Sequence, residues 1–61
     1  MKYRVHIRMS KDDLDECVAY LIGGSSQGVA RARALEMARQ HYPEYDAFQI
    51  YHVEEVGMKK K

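Results

Sequence analysis

The sequence predicts a small α+β domain: a three-stranded antiparallel sheet with one helix packed on one face, in the order β-β-α-β. Three observations predict it. Residues 2–9 alternate strictly between apolar and basic side chains. An alanine-spaced run, Val29 to Ala38, lies between a glycine-serine loop and the stop His41-Tyr42-Pro43. An extended segment rich in aromatic and β-branched residues, Phe48-Gln-Ile-Tyr-His-Val53, follows that stop.

Taken in order, Tyr3, Val5, Ile7 and Met9 point to one side of the first strand and Lys2, Arg4, His6 and Arg8 to the other, the period of a half-buried strand. Residues 10–22 admit two readings. As a helix, Ser10 is the N-cap with Asp13 three residues on, and Leu14, Cys17, Val18, Leu21 and Ile22 form a helical stripe, giving β-α-α-β. As a hairpin, Lys11–Asp15 is a polar turn and Glu16–Ile22 a second strand. The strand is preferred, because two strands alone make a poor sheet and three can carry a helix. Residues 26–41 form the main helix, with Ser25 or Ser26 as N-cap and alanines that permit close approach to the sheet. Pro43 ends it, since the residue before a proline resists the α region. Residues 47–55 are the last strand, with Phe48 and Ile50 on one face and Tyr51 and Val53 on the other. The last strand then pairs beside the first, in the order 3-1-2, through a right-handed crossover. Residues 1–56 make one domain, and 57–61 a disordered basic tail.

Sixty-one residues suffice for a thin core and leave little room for the deep pocket an enzyme needs. Ten basic and nine acidic residues give a formal charge of +1, which excludes the strong field of a bulk nucleic-acid neutraliser but not a local patch. The lone cysteine, Cys17, excludes an internal disulfide and fits a reducing cytoplasm. The longest apolar run, Cys17 to Ile22, is far short of a membrane span. Basic residues interrupt every apolar pair at the start, so no secretory leader is read there.

The loop serines Ser25 and Ser26, the alanines Ala30, Ala34 and Ala38, the pair Tyr42-Pro43 and the pattern Phe48-x-Ile50-x-x-Val53 together resemble a group of very small phage-encoded proteins that includes phage inhibitors of bacterial RNA polymerase. The resemblance spans roughly residues 20–56 and rests on fold-forming positions. It implies a phage or prophage accessory protein, acting in the cytoplasm of a bacterial host and binding a host macromolecule. The contact residues of those inhibitors match no position here, so none is carried over.

Candidate chemistry is sparse. Gly24, Ser25, Ser26 and Gly28 open the helix, where free N–H groups bind phosphate. However, Val29 and Ala30 stand where a P-loop needs Lys and Ser or Thr. His6, His41 and His52 lack the short spacing of a zinc site, so neither metal nor cofactor is expected. Cys17, with apolar flanks, reads as an inert buried thiol. Asp12, Asp13, Asp15 and Glu16 form an acidic turn, a handle for a basic partner surface. Arg4, His6 and Arg8, with Tyr51 and Tyr20 on the same open face, give the tyrosine–arginine mixture of interface cores.

The leading expectation is therefore a non-enzymatic protein that binds a host protein through its open sheet face and acidic turn. One alternative is nucleic-acid binding by the basic face, and another is nucleotide capture at the glycine loop. The segment Cys17–Ile22 is apolar on both faces, which predicts a homodimer or an apolar partner site there.

Overall fold

The computed structural model describes residues 1–57. Strands β1 (Lys2–Lys11), β2 (Leu14–Gly23) and β3 (Ala47–Val56) form one antiparallel sheet in the order β2-β1-β3, and helix α1 (Gln27–His41) lies on one face. The β-β-α-β architecture is the one expected, and residues 10–22 are strand and hairpin. Of the expected basic tail, Gly57 follows β3, and residues 58–61 lie outside the described residues.

The central strand supplies most of the core. Tyr3, Val5, Ile7 and Met9 are buried beneath Ala30, Ala34 and Ala38 of α1, with Ile22 of β2 beside them. No polar or charged side chain is buried among the described residues. The three alanines recur every fourth residue, so they form one stripe along the helix. Their single methyl groups let the helix settle close onto the large side chains of β1. Ser26 caps α1, its Oγ accepting from the Val29 N–H at 3.3 Å. At the other end the Tyr42 N–H donates to the Ala38 carbonyl, and Pro43 follows.

A fifteen-residue helix is about 22 Å long, whereas ten-residue strands reach about 33 Å, so α1 cannot cover the sheet's whole length. The connection after α1 extends the cover. Tyr42 and Tyr45 meet edge to face, and the Lys11 ammonium sits 5.2 Å from the Tyr45 ring centre. The Asp46 N–H donates to the Ser10 carbonyl at 2.9 Å.

Two details differ from the sequence expectation, and both change which residues share a face. The first hairpin turns on only two residues, Asp12 and Asp13, with Lys11 opposite Leu14. A turn over Lys11–Asp15 would have put Val5 beside Leu21. The tighter turn puts Val5 beside Tyr20 and Ile7 beside Val18. Tyr20 therefore faces the helix side, and Cys17, Ala19 and Leu21 occupy the open side. The second detail is a β-bulge in β3: Ile7 pairs Ile50 but His6 pairs His52, leaving Tyr51 as the extra residue. Val53 thereby returns to the helix face opposite Val5, instead of sharing the open face with Tyr51.

The tight turn demands a left-handed residue at its first position, as two-residue hairpin loops of the primed types do, and Asp12 has φ 48°. Aspartate tolerates that conformation better than most residues, and a β-branched side chain does not. Asp12→Val is expected to cost about 1–2 kcal/mol, and Asp13→Val, outside the left-handed region, distinctly less. Urea titration of the two variants checks the order.

Candidate functional site: the open sheet face

Among the described residues, no element covers the side of the sheet opposite α1. Three cross-strand rows line it: Cys17–Arg8–Gln49, Ala19–His6–His52 and Leu21–Arg4–Glu54, with Tyr51 projecting from the bulge between the first two. Leu21 and Tyr51 are each 54 % exposed. Cys17 is exposed as well, which corrects its expected burial. Its one adjacent apolar residue, Val18, lies on the other face of the strand, and its partner across the sheet is Arg8.

Glu54 is the electrostatic centre of the face. Arg4 Nη1 donates to its Oε2 at 2.9 Å, His6 Nε2 lies 3.4 Å from the same oxygen, and His52 Nε2 lies 3.8 Å from Oε1. The hydrogen bond from Arg4, and next the one from His6, hold the Glu54 carboxyl below the ordinary carboxylate range. The His6 and His52 rings are tilted against one another with centres 5.2 Å apart, and Tyr51 sits 5.9 Å from His6. At the turn end of the face, Arg8 lies 3.8 Å from Asp15. A shallow hollow of about 390 Å³ opens there between Arg8, Asp15, Glu16, Cys17 and Tyr51. Polar contact with the Cys17 side chain is the main cause that raises the Tyr51 hydroxyl above its usual value, with burial adding to it.

The expected partner-binding residues thus divide. Arg4, His6, Arg8, Tyr51 and Asp15 gather on the open face. Asp12 and Asp13 form the turn tip. Glu16 faces the helix side opposite Met9, where its hydrogen bond and charge contribute to raising the Tyr45 hydroxyl, after burial. The acidic turn is therefore no single handle, because alternation along β2 sends Asp15 and Glu16 to opposite faces. Tyr20 lies with the helix, its hydroxyl 3.1 Å from His41 Nδ1 at the helix C-terminus. Burial, then the neighbouring Tyr42, raises its pKa.

The glycine loop gains no ligand geometry. Gly24 N–H donates to the Met1 carbonyl at 3.1 Å, and the Ser26 hydroxyl is committed to the helix cap. No described glycine has a positive φ.

Sequence reasoning weighed His52 and set it aside, and missed Glu54 altogether. His6 and His52 lie forty-six positions apart, so no spacing motif connects them, and only the register of β3 against β1 makes them neighbours. The legible signal was the polar residues of the last strand beside a cationic central strand. Comparisons with protein-family models, with curated protein sequences and with solved structures return no match to this chain. No helix among the described residues is long and apolar enough to cross a membrane.

Proposed function

We propose that this chain is a non-enzymatic binding module that docks a partner protein on its open sheet face. One observation carries the reading: the uncovered face presents Leu21 and Tyr51 around cations already paired with the chain's own carboxylates, Arg4 with Glu54 and Arg8 with Asp15. Carboxylates beside these arginines lower the positive potential of the face, and phosphate neutralisation is what drives nucleic-acid binding. Aromatic and arginine side chains beside apolar surface are the composition of protein interface centres. The likeness to phage-encoded inhibitors supports a bacterial host protein as the partner, and inhibition in the host cytoplasm as the outcome. The outer strand β2 also offers Leu21, Ala19 and Cys17 to a second copy, so a homodimer is the competing occupant of the same face.

The test is capture of a stoichiometric partner from nuclease-treated bacterial lysate, followed by titration of the purified pair with surface variants. Tyr51→Ala is expected to weaken binding by about 2 kcal/mol, roughly 30-fold, as interface-centre aromatics do. Leu21→Glu should weaken it comparably, and Arg33→Glu on the helix should leave it unchanged. Light scattering of the isolated protein reports the homodimer. Indifference of the partner to both Tyr51→Ala and Leu21→Glu sinks the proposal. Binding of random oligonucleotides with a steep loss on added salt replaces it with the nucleic-acid reading.

A further inference from the structure

From the same face, and independently of any protein partner, we infer that His6, His52 and Glu54 form a binding site for a divalent transition-metal ion of the zinc class. Their ligand atoms all lie within 4.8 Å of one another. A tetrahedral ion with bonds of about 2.0–2.1 Å sets its ligand atoms about 3.3 Å apart. Each histidine already stands close to that distance from one carboxylate oxygen, His6 Nε2 3.4 Å from Glu54 Oε2 and His52 Nε2 3.8 Å from Glu54 Oε1. A common ion therefore requires the three side chains to draw in from separations of up to 4.8 Å.

The donor chemistry selects the ion. Two imidazoles and one carboxylate suit zinc, cobalt, nickel and copper, whereas calcium and magnesium favour all-oxygen sites. The scaffold is suited to hold it. His6 and His52 are directly opposed across β1 and β3, and Glu54 follows two residues after His52 on the same face. Arg4, bonded to Glu54 Oε2 at 2.9 Å, orients the carboxylate as outer partners of metal ligands do. Ala19, opposite His6 on the other side, adds only a methyl group beside the ring. With three ligands on an open face, the fourth position remains for water or for a donor from another molecule. On binding, the ion takes the Nε2 lone pairs, so each ring carries its proton on Nδ1.

Titration of the purified full chain with Zn²⁺ in the presence of excess Mg²⁺, followed by calorimetry and imidazole NMR, tests the site. One equivalent of Zn²⁺ should bind, shifting the ring signals of His6 and His52. Those of His41, held by Tyr20 on the opposite side of the sheet, should stay in place. His52→Ala and Glu54→Gln should each weaken binding at least about 10-fold, a loss of the size that even outer-shell changes cause. His52 is exposed on an outer strand, so its replacement leaves the fold intact, as circular dichroism will verify. Cys17→Ser should leave binding unchanged, and Co²⁺ in place of Zn²⁺ should develop visible absorption in the wild type and in Cys17→Ser, and weaker absorption at the same concentration in His52→Ala and Glu54→Gln. The inference is overturned if the wild type binds no Zn²⁺, if both ligand variants bind it undiminished, or if Cys17→Ser abolishes binding.

Discussion

Ile7→Ala is expected to remove a large share of the fold's stability. Ile7 is fully buried at the centre of the central strand, flanked by Val5 and Met9 beneath the alanine stripe of α1. Truncating a buried isoleucine to alanine costs about 2–5 kcal/mol, the upper end applying where the surroundings cannot collapse into the gap. Collapse is restricted here. The helix residues buried in the same cluster are alanines, whose single methyl groups have little reach, and Ile7's own strand is held on both sides by β2 and β3. A chain of this length has only about 3–9 kcal/mol of stability in total, so one substitution removes much of it. Thermal and urea unfolding by circular dichroism measure the effect. A loss below about 1 kcal/mol would mean that Ile7 does not sit in the core and that the sheet faces are assigned wrongly.

The faces of β1 were legible because only one of its two sets of alternating residues is apolar. Helix α1 was legible for a similar reason: a serine cap, alanines at every fourth position and a proline stop agree with one another. The face of β2 was not, because Cys17, Ala19 and Leu21 are as apolar as Val18, Tyr20 and Ile22, and period-two alternation then carries no sign. Turn length alone decides it: shortening the loop from five residues to two flips every side chain. Physical chemistry offered a hint, since Asp12-Asp13 fits a two-residue turn that tolerates left-handed φ. The open face was thus expected in outline, with Arg4, His6 and Arg8 correctly placed. Its chemistry was hidden in long-range pairing. Arg4 gains a carboxylate and His6 a second histidine only when residues near the chain's two ends come into register.

That register depends on the bulge at Tyr51, and the paired substitutions Val53→Asp and His52→Asp expose it. Uninterrupted alternation from Phe48 and Ile50 would turn His52 toward the helix and Val53 toward solvent. With Tyr51 as the extra residue, Val53 stands opposite Val5 against the core and His52 opposite His6 on the open face. Val53→Asp therefore loses apolar burial and sets a carboxylate against the fully buried Val5, at the edge of a hollow that Arg31 also lines. Its expected cost is at least about 2 kcal/mol, combining the lost transfer energy with the desolvation of a polar group. His52→Asp replaces one exposed polar side chain by another; it gives up the ring contact with His6 and sets a second carboxylate near Glu54, whose charge Arg4 offsets. The expected change is within about 0.5 kcal/mol, the range of ordinary surface substitutions. Urea unfolding of both variants gives the comparison directly. If His52→Asp proves the more damaging of the two, β3 alternates without the bulge. His52 then turns away from His6, and the metal triad on the open face cannot assemble.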